Sequence, residues 1–137
     1  MAIARDIMTG GTECVGENES LVAAAQKLRD LNIGSMPICG EDNRLKGMLT
    51  DRDIVVKCIA DGGDPSSATA GEFAQGKPVT IGADDDVSEA LATMKAHQVR
   101  RLPVIDGHDL VGMLTQADVA QSLSDERVGD LVEYISE

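Results

Sequence analysis

Aromatic side chains are nearly missing from this chain. Phe73 and Tyr134 are its only Phe and Tyr, and Trp is absent. Base stacking on an aromatic platform is thereby almost excluded as a binding mode. Positive charge is also scarce: 12 Lys and Arg face 24 Asp and Glu, a formal net charge of −12. Such a surface repels nucleic-acid phosphates and anionic headgroups, so no nucleic-acid partner is expected and a phosphate site has to be a local exception. Acids outnumber bases in both halves, so the acidity is spread out and mostly serves solubility. No apolar run of about 18 residues occurs, so no membrane span is expected. The opening MAIARDIMTGG has no apolar stretch of the secretory type, and the cytoplasm is the default compartment. The three cysteines and two histidines fall into no C-x-x-C or H-x-x-x-H spacing. Neither a Walker loop nor a nucleophile elbow is present, so no enzymatic activity is expected.

What the chain does have is repetition. GMLTDRD at 47–53 returns as GMLTQAD at 112–118. Slid against itself so that Ala4 falls on Ala70, the chain also matches Val15-Gly16 with Ile81-Gly82, Leu28 with Met94, and SMPIC (35–39) with RLPVI (101–105). Self-similarity of this length indicates two copies of one supersecondary unit. With so few aromatics, Ile, Leu, Val, Ala and Met must fill the core.

Each copy opens on a short β-type stretch, Thr12–Val15 or Pro78–Ile81. A helix follows, with Leu21, Ala24, Ala25, Leu28 and Leu31 on one face in the first copy and Val87, Ala90, Leu91 and Met94 in the second. Asn18 and Asp84–Asp86 are suitable residues to start these helices. Two apolar strands come next, Met36–Cys39 then Leu45–Leu49, and Leu102–Ile105 then Leu110–Leu114. A second helix begins near Thr50 or Thr115. The fold class is α+β, an α/β sandwich of two β-α-β-β-α repeats packed with pseudo-two-fold symmetry. A lone repeat of this size has too little interior to be secure, so the two must clasp each other. The division is 1–62 for the first repeat, 63–70 for a Gly-, Ser- and Pro-containing linker, 71–126 for the second repeat and 127–137 for a closing helix.

The β-α-β-β-α order and the G-h-L-T-x-x-D segment, each occurring twice, together with LPVID in the second copy where the first has MPICG, resemble the cystathionine-β-synthase (CBS) domain. A tandem pair is a Bateman module. The resemblance spans nearly the entire chain. It implies an adenine nucleotide bound between the repeats, assembly as a homodimer, and signalling to an unidentified protein partner. Carried over position by position, Asp53 and Asp118 would hold ribose, Thr50 and Thr115 would lie beside it, and Arg100 and Arg101 would offset phosphate charge. The first copy has Gly34 and Ser35 at those last two positions, which makes the second the better candidate.

Without any ligand, Thr50-x-x-Asp53 and Thr115-x-x-Asp118 read as capping boxes: the Thr accepts an N–H bond and the Asp reaches back. Both readings stay open on sequence. Arg101 reads equally as a solvated surface residue. The resemblance places the strands of Cys14 and Cys39 side by side, which makes a Cys14–Cys39 disulfide the alternative to two small buried thiols. A disulfide would imply an oxidising environment and secretion without a classical signal peptide. Cys58 falls within a helix and should be core. His97 and His108 are polar surface residues or, with acidic residues or a second subunit, ligands to zinc. Two functions follow: a non-enzymatic ligand-sensing or regulatory module, or a disulfide-stabilised, exported interaction protein that has lost nucleotide binding.

Overall fold

The computed structural model describes residues 2–11, 13–74 and 78–122. They group into two compact units. Described residues of Met1–Thr12 and Val79–Glu137 form one, and those of Glu13–Pro78 form the other. The units therefore do not coincide with the sequence repeats, because the start of the chain packs with the second repeat. The closing helix expected at 127–137 lies outside the described residues.

The chain opens with α1 (Ala4–Ile7) and β1 (Thr9–Gly10). The first-repeat unit then carries β2 (Val15–Gly16), α2 (Leu21–Leu31), β3 (Ser35–Cys39) and β4 (Leu45–Thr50). Its sheet runs β2-β3-β4, with β2 parallel and β4 antiparallel to β3. The β2 ladder is shorter than the sequence suggests, holding only Val15↔Ile38 and Gly16↔Cys39. Pro37, which has no N–H to donate, stands just before the first of these pairs. Ser20 rather than Asn18 caps α2, its Oγ accepting from the Ala23 N–H at 3.1 Å. The preceding turn closes on itself through Gly16 N–H to Glu19 Oε2, 3.0 Å, which leaves the cap to the next residue. Asn32, left-handed at φ 54°, ends the helix.

Leu21, Ala24, Leu28, Met36, Ile38 and Leu49 form this unit's core with Val15, Ile54, Cys58 and Ala70. Cys58 is buried, as expected. Ala25 and Leu31 do not join the core; Ala25 is exposed and Leu31 is 43% exposed. After β4 a widely wound helical segment runs Asp53–Ile59, with Ala60 N–H bonding back to the Val55 carbonyl. It buries Ile54 and Cys58 and leaves Val55, Val56 and Ile59 outside. Residues 64–74 then return to the unit. Pro65 and Ala68 carbonyls accept from Val22 and Leu21, and a 3₁₀ turn, Ala70–Phe73, follows a Thr69–Glu72 capping box.

The second-repeat unit contains β5 (Ile81–Gly82), α3 (Val87–His97), β6 (Arg101–Asp106), β7 (Asp109–Thr115) and α4 (Gln116–Ser122). Its sheet runs β1-β7-β6-β5. Asp86 caps α3 through the Ser88 N–H, 2.8 Å. Leu102, Val104, Leu114, Val119, Met94 and Ala90 are buried at its centre.

The glycine of each GMLT now has a reason. A Cβ on Gly112 would meet the Thr9 carbonyl at 2.7 Å, and one on Gly47 would meet Ala74 Cα at 2.9 Å. Each strand is crossed closely by the segment that leads into a repeat, and only glycine leaves room.

Candidate functional site at the strand-to-helix junctions

The repeated Thr and Asp sit where β4 and β7 give way to helix. Thr50 N–H donates to Asp53 Oδ2 at 3.0 Å, and Asp53 N–H donates to Thr50 Oγ1 at 3.0 Å. The second copy repeats this with Thr115 N–H to Asp118 Oδ2 at 2.9 Å and Asp118 N–H to Thr115 Oγ1 at 3.2 Å. Both are reciprocal capping boxes. Each uses one carboxylate oxygen.

The two junctions differ in their surroundings. Asp53 Oδ1 pairs with Lys57 Nζ at 3.2 Å. Ser122 stands at the matching place in the second copy, and its hydroxyl donates to the Val119 carbonyl at 3.1 Å. The backbone brings Arg100 and Arg101 to the second junction. Arg101 is paired across the sheet with Thr115, and Gln116 N–H donates to the Arg100 carbonyl at 2.9 Å. The first junction has the same backbone, with Ser35↔Thr50 and Asp51 N–H to the Gly34 carbonyl at 3.0 Å. Its side chains are opposite in character: a Cβ on Gly34 would lie 3.6 Å from Asp51 Oδ2. Arg100 and Arg101 are exposed, while Thr115 and Asp118 are half-buried. The second junction thus carries two bases on the neighbouring strand, whereas the first has none there and its Asp53 is already paired.

Cys14 and Cys39 form a disulfide with their Cα atoms 5.7 Å apart. Cys14 immediately precedes β2 and Cys39 ends β3, so the parallel ladder sets the two side by side. His97 at the end of α3 and His108 in the β6–β7 turn are both exposed. Among the described residues no three His, Cys, Asp or Glu are arranged to hold a metal. Two imidazoles alone supply half of a tetrahedral zinc shell.

Three features escaped the sequence reading. Lys57 was invisible as a partner until the helix placed it one turn beyond Asp53; its i,i+4 spacing was the available signal. Arg5 bridges Asp84 and Asp106 at 3.3 and 3.0 Å. These bonds, that to Asp106 foremost, hold its guanidinium even more firmly protonated than usual. Val22, Leu31, Val55, Val56 and Ile59 are exposed apolar side chains of the first-repeat unit, and Val22, Val55 and Ile59 line adjoining grooves with Ala25 and Ile54. The matching second-copy residues to the first four are Ser88, His97, Ala120 and Gln121. Of the described helices, none is long and apolar enough to cross a membrane.

Two β-α-β-β-α repeats with a capped Thr–Asp at each strand-to-helix junction define a class of tandem-repeat α+β proteins. The chain belongs to the CBS domain family, whose model matches residues 4–59 and 70–125. It is 52% identical over 135 residues to Hypoxic response protein 1 of Mycobacterium tuberculosis, covering 98% of this chain and 94% of that one. It is 34% identical to the CBS domain-containing protein YhcV of Bacillus subtilis, covering 99% and 96%. A crystal structure of Hypoxic Response Protein I with two coordinated zinc ions superposes with a TM-score of 0.83 at 54% identity, covering 90% of this chain and all of that one. CBSX2 in complex with AMP shares the fold, with a TM-score of 0.77 at 21% identity over 89% and 96% of the two chains. CBS domains are generally regulatory modules without catalysis of their own.

Proposed function

We propose that this chain is a ligand-responsive CBS pair that takes one adenine nucleotide at the second-repeat junction and none at the first. The observation that carries this is the split between two capping boxes of equal geometry. Among the described residues no cation pairs with Asp118's second carboxylate oxygen, whereas Asp53 commits its own to Lys57. A ribose diol donates two hydroxyls and needs such an oxygen. Arg100 and Arg101 supply positive charge for phosphate on a chain of net charge −12, where the matching Gly34 and Ser35 supply none. The AMP complex of CBSX2 makes the ligand class reasonable. Calorimetric titration with AMP, ADP, ATP and S-adenosylmethionine tests it. One site per chain for at least one of them is expected; no heat with any, in oxidised and reduced protein alike, refutes it.

The exposed apolar grooves lined by Val22, Ala25, Val55 and Ile59 favour a homodimer as the signalling form. The same grooves are lined by Arg29 and Asp51, both signs, which suits pairing with a second copy of the same face. His97 and His108 do not complete a zinc shell within the described chain, so zinc would need further ligands from such a copy. A second reading rests on the disulfide: an interaction protein working in an oxidising compartment without nucleotide. The titration separates the two.

A further inference from the structure

Each unit must hold down the segment that leads into a repeat, and the two units do so by the same backbone bonds but different fasteners. In the second-repeat unit, Ala4 N–H and Arg5 N–H donate to the carbonyls of Asp85 and Ala83 at 2.9 and 2.8 Å. In the first-repeat unit, Ala70 N–H and Gly71 N–H donate to those of Glu19 and Glu17 at 2.9 and 2.8 Å. The second-repeat unit adds a side-chain lash: Arg5 ties the loop after β5, through Asp84, to the end of β6, through Asp106. Gly71 occupies Arg5's place in the other unit and cannot copy this. A Cβ there would already lie 2.8 Å from the Glu17 carbonyl. The same two elements, the β2 side and the end of β3, are instead joined by Cys14–Cys39. At the matching second-copy positions stand Thr80 and Ile105.

We infer that the Cys14–Cys39 disulfide is a redox-sensitive latch on residues 69–74, the stretch from which the chain continues to the second-repeat unit. The line of force is short. The disulfide fixes Cys14 at the start of a two-residue strand, β2 leads into Glu17 and Glu19, and their carbonyls hold Gly71 and Ala70. With the disulfide open, β2 keeps two ladder pairs, the Glu17 N–H bond to the Cys39 carbonyl and one lysine contact, Lys27 Nζ to the Cys14 carbonyl at 3.1 Å. The reductant is a dithiol of the thioredoxin or dithiothreitol class. Its thiolate attacks Cys14 Sγ, because Cys14 is half-buried whereas Cys39 is only 5% exposed. The Cys14–Cys39 bond breaks, Cys39 leaves as thiolate and takes a proton, and the reductant's second thiol then displaces Cys14. The reductant departs as its own disulfide; two electrons and two protons have reached the protein.

Amide ¹⁵N relaxation on full-length protein, before and after dithiothreitol, reads this directly. Order parameters of Ala70–Phe73 are expected to fall from about 0.85 to below about 0.6 on reduction, while those of α2 and α3 stay rigid. The double variant Cys14→Thr with Cys39→Ile, which copies the second repeat's own residues, should show the same loosening without reductant. Arg5→Met is the counterpart: it should loosen Ala4–Ile7 in either redox state, and leave Ala70–Phe73 rigid until dithiothreitol is added. Unchanged order parameters at Ala70–Phe73 in the reduced protein would overturn the latch. So would collapse of peak dispersion across the first-repeat unit, because the bond would then hold the fold rather than the segment.

Discussion

Removing the carboxylate at each junction, Asp53→Ala and Asp118→Ala, should produce opposite rankings in stability and in binding. Either change deletes one half of a capping box, which costs about 1 kcal/mol. Asp53→Ala also breaks the i,i+4 pair with Lys57, and because Lys57 is 64% exposed that adds only about 0.3–0.5 kcal/mol. Urea denaturation should therefore rank Asp53→Ala as the more damaging by a small margin. Calorimetric binding of AMP should rank them the other way. A hydrogen bond to a charged acceptor contributes about 1.5–3 kcal/mol, so Asp118→Ala should weaken affinity about 10- to 100-fold while Asp53→Ala leaves it unchanged. Asp118→Asn sharpens the point, since its amide oxygen can still accept from the Thr115 N–H: stability should be kept and affinity lost. Equal loss of affinity in both alanine variants refutes the argument, because it would mean that Lys57 does not occupy the first site.

Four further outcomes are expected. Denatured, unreduced protein should show one reactive thiol, Cys58, and three after reduction; opening a loop of sequence separation 25 should cost about 3.5 kcal/mol in a urea titration, and a loss under about 1 kcal/mol would speak against the bond. Val55→Asp with Ile59→Asp, at positions 56% and 53% exposed, should leave the circular dichroism intact and give a monomer in light scattering, whereas a persistent dimer places the interface elsewhere. The Ser66 hydroxyl, then its N–H, hold the Asp64 carboxyl below the usual range, so its stabilisation is present above about pH 3.9 and lost as pH falls through the lower folded value; the gap in urea midpoint between wild type and Asp64→Asn should be widest near neutrality and vanish in strong acid. Gly112→Ala should cost about 1–3 kcal/mol, as its Cβ runs into the Thr9 carbonyl, and a neutral result would refute the close approach of β1 to β7.

The repeat and the strand and helix order were legible because each is written in local pattern or in the offset between copies, and the Cys14–Cys39 bond through the family resemblance that sets its strands side by side. The grouping of the chain was not. Nothing in Ala4-Arg5-Asp6-Ile7 announces that it packs beside β5 and β7 rather than on the strand that follows it. The burial of α2 was misjudged at Ala25 and Leu31 for a similar reason. The two flank the buried Leu21, Ala24 and Leu28 face on opposite sides, and periodicity alone does not say how wide a face meets the sheet. Ser20 was missed as the cap because the Gly16–Glu19 turn, a side-chain bond, shifts the helix start.

The same distinction runs through GMLTDRD and GMLTQAD. Their shared letters are spoken for by the fold: the Gly clears a crossing segment, the Leu is fully buried, and the Thr and Asp cap the next helix. A chain needs these whether or not it binds anything, so their repetition is evidence of architecture. Function has to lie in what the copies do not share. Asp51 against Gln116, Lys57 against Ser122 and Gly34 against Arg100 change charge and hydrogen bonding around an unchanged backbone. Exchanging those three residues between the copies should then move the binding site from the second junction to the first. A chimera that still binds at Asp118 would place the selectivity outside both junctions.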